Sequence, residues 1–225
     1  MLQLPQIKTT GTLSEKTYEI LKKAIIQLEL KPGELITVES ISEQLGVSRT
    51  PIRTALNSLI NDGLIEMIPG KGTFVKSLSQ KEATDLLNVR ELLECYSVKL
   101  AAELRTEDDL KQLEYILYKT ELTCKRKNKN NQEFLTLDSE FHETIARISS
   151  NSYLESQLSM IVDNCRRYLN ATTFEKTIPD VLVEHKELYE QIKKQDILLS
   201  EACMKKHITN IKDRMIYYIN LNENI

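Results

Sequence analysis

Residues 38–75, VESISEQLGVSRTPIRTALNSLINDGLIEMIPGKGTFV, decide the reading of this chain. Val38, Ile41 and Leu45 recur at helical spacing and stop at Gly46, while Ile52, Leu56, Leu59 and Ile60 form a second apolar set behind Ser48. Gly46 suits a helix C-terminus that needs a left-handed residue, and Ser48 suits an N-cap. Two helices joined so closely must cross steeply, which predicts a helix-turn-helix. On the second helix Arg49 and Arg53 share one face with Thr50 nearby, opposite the apolar set. Arginines there can pair with guanine edges, and the helix's terminal N–H groups favour a phosphate. Pro51 is tolerated in a first turn, where no intrahelical bond is lost. Asp62 and Gly63 stop the helix, and 64–67 and 73–76 read as two short strands around Pro69, Gly70, Lys71 and Gly72. Gly70, Lys71 and Gly72 form a tip that lets the backbone approach a phosphate: a wing.

In these features, residues 18–76 resemble the winged-helix domain of GntR-type bacterial transcription regulators. The shared pattern is Lys31-Pro32-Gly33, then Val47-Ser48-Arg49-Thr50-Pro51, then Pro69-Gly70-Lys71-Gly72. The resemblance implies that Ser48, Arg49, Thr50, Arg53 and Gly70 contact a double-stranded DNA operator. Two positions depart from the family pattern and bear on operator sequence. Thr54 stands where the family mostly has glutamate, and Glu39 where some relatives have a DNA-contacting arginine.

Composition sets the frame. A length of 225 residues allows two domains, and 41% hydrophobic content with 6 glycines and 5 prolines suits a mainly α protein. No long apolar run or signal-peptide layout is present, which points away from membrane and export and toward the cytoplasm. Cys95, Cys124, Cys165 and Cys203 are too far apart for a zinc ribbon or redox pair and are expected to be reduced. The net charge of −3 divides unevenly, with +1 in residues 1–78 and −4 in the remainder. Acidity therefore sits away from the DNA-facing region.

The expected organisation is a winged helix-turn-helix domain over 1–76, a linker over 77–80 and an all-α effector-binding and dimerisation domain over 81–225. Residues 1–12 read as a loose arm and about 15–29 as a helix ended by Pro32-Gly33. Six helices follow, about 80–104, 107–128, 132–148, 151–171, 180–194 and 196–221. Breaks fall at 105–106, 128–131, 149–152, 173–180 and 195–196, and Thr106 with Asp109 is close to a capping box.

All three histidines lie in this second region. Asp138 and His142 are four apart and share a helical face. His185 sits among Val181, Leu182, Leu188 and Tyr189, and His207 beside Cys203, Met204 and Ile211, so both point inward. One carboxylate and three imidazoles from three helices can converge on a divalent ion, zinc, nickel, manganese or iron. Ordinary histidines satisfied by hydrogen bonds are the alternative.

This region resembles the FCD ligand-binding domain of FadR-type GntR regulators. The pattern is carried by Arg90, Leu93 and Glu94, by Asp138, Phe141, His142 and Asn151, and by His185 and His207. The resemblance implies metal binding by Asp138, His142, His185 and His207. An open metal position suits a small carboxylate effector, with Arg90 as its charge partner or else paired to Glu94. The chain then reads as a homodimeric, ligand-responsive repressor on an inverted repeat, activation remaining open. A metal-dependent hydrolase with an accessory DNA-binding domain is the competing class. It is disfavoured because Glu143 and Glu184, the available bases, each lie one residue from a ligand and are poorly aimed.

Overall fold

The quoted stretch folds as two helices and a hairpin in the computed structural model, which describes residues 12–126, 131–171 and 177–221. These helices are α2 (Val38–Leu45) and α3 (Arg49–Asn61), preceded by α1 (Leu13–Ile26) and β1 (Leu35–Ile36) and followed by β2 (Ile65–Ile68) and β3 (Gly72–Val75). Gly46 ends α2 in the left-handed region at φ 64°, its N–H donating to the Ser42 carbonyl. The Ser42 hydroxyl donates to the Val47 carbonyl at 2.8 Å, which tightens the same turn. Ile41, Ile52, Leu56 and Leu59 pack with Leu21, Ile25 and Val75 into one small core.

Two boundaries differ from the sequence expectation for local reasons. α1 starts at Leu13 because Thr12 and Glu15 close a capping box: the Glu15 N–H donates to the Thr12 hydroxyl, and the Thr12 N–H donates to the Glu15 carboxylate. It ends before Lys31-Pro32-Gly33 because Leu28 turns left-handed at φ 61°, and the Glu29 and Leu30 N–H groups fold back onto the Ala24 carbonyl. The far end of this helix pair is tied by the Tyr18 hydroxyl, which donates to Asp62 at 2.5 Å.

The hairpin strands sit within one residue of expectation, in antiparallel register from Ile65 opposite Val75 to Ile68 opposite Gly72. Its turn has Pro69 and then Gly70 at φ 75°, and the Lys71 N–H returns to the Ile68 carbonyl, the chemistry of a type II turn. The third strand, β1, was not foreseen. It pairs with β3, Leu35 opposite Phe74, giving the order β1-β3-β2. Two residues are too short to carry an alternating pattern.

The chain divides into two compact units at Ser77 and Leu78. The second holds α4 (Gln80–Leu104), α5 (Glu107–Lys125), α6 (Asn131–Ile148), α7 (Ser152–Ala171), α8 (Ile178–Lys193) and α9 (Ile197–Leu221). Leu78 is buried in its core, and the Ser79 hydroxyl caps α4 by accepting from the Glu82 N–H. Tyr168 on α7 braces that end, donating to the Glu82 carboxylate at 3.0 Å and accepting from the Ser79 N–H. Thr106 and Asp109 form a full capping box on α5, and the Asn151 side chain accepts from the Leu154 N–H at the start of α7. α4 packs most extensively on α9 and also meets α6, α7 and α8, so it runs through the middle of the bundle. Leu87, Val98, Phe141, Cys165, Val181, Leu188 and Met204 fill the core. None of the four cysteines is in a disulfide. Of the arm expected over 1–12, residues 1–11 lie outside the described residues, as do 128–130 and 173–176 of the breaks expected at 128–131 and 173–180.

Gly46→Val is expected to lower the stability of the winged unit by about 1–2 kcal/mol, since a β-branched residue is forced into the left-handed region. Thermal unfolding followed by circular dichroism reads this as a reduced midpoint of the first transition, with the bundle transition unmoved.

Candidate DNA-reading face and histidine pocket

On α3 the helical period separates two faces. Ile52, Ala55, Leu56 and Leu59 are buried, while Arg49, Thr50 and Arg53 are exposed. Ser48 occupies the N-cap in extended backbone, yet its hydroxyl makes no cap bond. Pro51 explains this. It holds the third helical position, whose N–H would normally donate to the cap, and proline has none to give. The Ser48 hydroxyl and the helix's leading N–H groups are thereby left for another acceptor or donor, and a phosphate suits them.

Arg49 lies 3.5 Å from the carboxylate of Glu39, with both side chains well exposed. Each residue stood out in the sequence, but the spacing of ten gave no sign that they pair. At the wing, Gly70 and Lys71 are exposed. Gly72 has a packing reason for lacking a side chain: at φ 126°, an added Cβ would stand 2.9 Å from Leu35 on β1.

In the helical unit, His142 on α6, His185 on α8 and His207 on α9 meet in the interior, each at most 2% exposed. His207 Nε2 lies 3.2 Å from His142 Nε2 and 3.3 Å from His185 Nε2, and the three ligand atoms all fall within 4.8 Å of one another. Phe141 stacks on the His185 ring at 4.3 Å and fixes its plane. Asp138, one turn before His142 and also buried, stands at the edge of the cluster with Oδ1 3.6 Å from His185 Nε2.

The opposite nitrogens of two rings are held from behind. His142 Nδ1 bonds to Glu94, and His207 Nδ1 bonds to Glu184 at 2.7 Å. Glu94 is itself clamped by Arg90, whose Nε donates to it at 2.6 Å, both side chains being buried. Arg90 Nη2 is buried with no hydrogen-bond partner. Glu184 also accepts from Asn210 and Arg214. Burial alone would raise the Glu94 carboxyl, but Arg90 and His142 hold it at about 2. Burial would likewise raise Glu184, and hydrogen bonds from His207 and Arg214 bring it to about 2. These anionic acceptors place the protons of His142 and His207 on Nδ1, so both Nε2 atoms present lone pairs.

Burial depresses the His185 imidazole well below its usual value, reinforced by His207 and His142. It also depresses His207, with Glu184 pulling the other way. Facing lone pairs at 3.2 Å repel unless a cation lies between them. An ion bound tetrahedrally at about 2.0–2.1 Å holds its nitrogen ligands about 3.3–3.4 Å apart, close to the two separations that His207 makes with His142 and His185. The residues therefore fit a divalent metal, and the nitrogen-rich set is compatible with several.

The outer partners were only half legible. Arg90 and Glu94 are four apart on one helix, and their pairing was one of two readings. Glu184 was set aside as a base poorly aimed at the centre. It lies behind His207, at Nδ1, where it orients the ring. The sequence offers no signal for that role, because the two residues sit on different helices.

Similarity to known proteins covers both units. The FCD domain model matches residues 85–210, and the model of bacterial regulatory proteins of the gntR family matches residues 13–75. The HTH-type transcriptional regulator LutR of Bacillus subtilis (strain 168) is 30% identical over 216 residues, covering 86% of this chain and 97% of its own length. The HTH-type transcriptional repressor RspR of Escherichia coli (strain K12) is 25% identical over 209 residues, covering 92% and 91%. Among solved structures, E. coli McbR/YncC shares the fold with a TM-score of 0.79 at 21% identity, covering 92% of this chain and 98% of its own. Among the described residues, no helix is long and apolar enough to cross a membrane. With a winged unit and a histidine-bearing bundle each matched by its own family model, and a relative at 30% identity along most of both chains, this protein belongs to the GntR family of DNA-binding transcription regulators and carries an FCD domain.

Proposed function

We propose that this regulator is a cytoplasmic, homodimeric repressor whose bundle holds a divalent metal and responds to a small carboxylate. The observation that carries the reading is the convergence of three buried Nε2 atoms, two of them with their protons held on the far side of the ring. His142, His185 and His207 would hold the ion, with Asp138 as the nearby carboxylate. When bound, the metal supplies open coordination positions for an anionic oxygen. Arg90 offers Nη2 as a further anchor for the same carboxylate, while its Nε stays with Glu94. The description of RspR as a repressor supports the sign assigned here.

On the winged unit, Ser48, Arg49, Thr50, Arg53, Gly70, Lys71 and Gly72 would meet the operator. Arg49 and Arg53 read base edges, and the wing tip and Ser48 engage phosphates. Two copies would place two such helices on the half-sites of an inverted repeat. The effector acts by binding one arrangement of the subunits more tightly than another, and operator affinity shifts by that difference.

Arg49→Ala and Arg53→Ala are each expected to cost about 1–3 kcal/mol of specific operator binding, measured by fluorescence anisotropy on a site selected from random DNA, with unchanged circular dichroism. Full affinity in both variants would remove α3 as the reader.

Elemental analysis of purified protein should find a divalent metal that His142→Ala and His185→Ala lose. Glu184→Gln, which leaves every ligand in place, should weaken metal affinity about 10–100-fold. Equal metal content in wild type and both alanine variants would defeat the site.

A panel of small carboxylic acids should include members that raise the melting temperature of the metal-loaded protein and fail to do so after chelation. Stabilisation that survives chelation and the Arg90→Gln substitution alike would place the effector elsewhere.

A further inference from the structure

Arg49 and Arg53 stand one turn apart at the start of α3, but their surroundings differ. Among the described residues Arg53 is exposed and makes no ion pair, whereas Arg49 has a carboxylate beside it. The turn at Gly46 brings the first turn of α2 against the start of α3, so that Glu39 lies 3.5 Å from Arg49 Nη2. The two side chains are 60% and 65% exposed, which keeps the pair on the surface that would face DNA. A carboxylate there opposes binding, because the phosphates of a duplex repel it and residues 1–78 carry a net charge of only +1 to offset the loss. Its place in the first turn of α2, where a negative charge favours the helix, accounts for an acid but not for its pairing with Arg49.

We propose that Glu39 is a specificity-determining residue for the operator, drawing Arg49 away from phosphates and directing it to a guanine edge. The inference rests on α3 as the reading helix and names what makes that reading selective. Arg49 meets two kinds of acceptor on a duplex. A phosphate oxygen carries no sequence information, whereas guanine O6 and N7 do. A guanidinium offers five N–H donors in a planar fork, and a bidentate bond to guanine occupies two of them. Arg49 can therefore meet a guanine and keep Glu39 on another edge. Swinging to a phosphate breaks the contact and leaves the Glu39 carboxylate uncompensated beside a polyanion. The cost is borne by the sequence-neutral complex, and an exposed pair of this kind sets it at up to about fivefold in affinity. Arg53, with no carboxylate beside it, is under no such bias.

Fluorescence anisotropy on the full chain tests this, with a duplex selected by wild type from random DNA and a random-sequence duplex of the same length as probes. Wild type is compared with Glu39→Gln, Glu43→Gln, Arg49→Ala and the double variant Glu39→Gln with Arg49→Ala, and melting curves are recorded for each. Glu43 lies one turn further along α2, exposed and in no ion pair among the described residues, so its substitution removes the same charge without touching Arg49. Glu39→Gln should bind the random duplex about fivefold tighter and the selected duplex within about twofold of wild type. On the random duplex its salt dependence should steepen by about 0.9 in log–log slope, the mark of one added phosphate contact. Glu43→Gln should keep the wild-type ratio between the duplexes, and adding Glu39→Gln to Arg49→Ala should leave that variant's ratio in place. Should Glu39→Gln melt early, Glu39→Ala carries the same readout. A ratio unmoved by Glu39→Gln, or lowered equally by Glu43→Gln or in the Arg49→Ala background, would overturn the role of Glu39 while leaving α3 as the reader. An Arg49→Ala variant that binds the selected duplex as tightly as wild type would instead remove Arg49 from the reading, and this inference with it.

Discussion

A guanidinium with no access to water sits at the centre of the bundle, and its neutralisation organises the pocket. Arg90 is fully buried, and an uncompensated charge in such a setting is strongly unfavourable. Glu94, one turn along the same helix, supplies the counter-charge, so the pair is assembled as soon as α4 forms. Having met Arg90 with one oxygen, Glu94 uses the other to fix His142. The charge that folding must accommodate is therefore the same charge that chooses the tautomer of a prospective ligand. Removing either member would leave its partner buried and unpaired, so this region tolerates substitution poorly whatever it binds.

Glu184 plays the matching part for His207 from a less enclosed position, supported by Arg214 and Asn210. The two carboxylates lie outside the nitrogen cluster, on the far sides of their rings. They orient the rings from behind, and the carboxylate beside the Nε2 atoms is Asp138.

What could be read from the residues divides by the range of the interaction. Gly46 and the Thr106–Asp109 box act within a few residues and could be read directly. Helical periodicity likewise located the six bundle helices to within a few residues and turned all three histidines inward. β1 was invisible because two residues carry no period, and its existence depends on β3, some forty residues away. The start of α1 at Leu13 turned on one threonine cap. Ser48 illustrates a subtler failure: the residue type suited a cap, but Pro51 removes the donor that would have satisfied it, so position and hydrogen bond came apart. The Arg49–Glu39 pair and the Glu184–His207 bond join separate helices and leave no trace in local spacing. As an exposed ion pair, the former contributes at most about 1 kcal/mol, so Arg49 is held only lightly.

Tyr168 gives the bundle a mechanical property. Arg90 touches Glu94 on α4 and lies beside the Cys165 thiol on α7, while three residues beyond Cys165 the Tyr168 hydroxyl bolts α7 to the opening turn of α4. The two helices thus act as twin struts, coupled both at the buried charge and at the point where the chain enters the bundle. A ligand that drew on Arg90 would therefore bear on both helices at once, and Tyr168 ties the same pair together at Ser79.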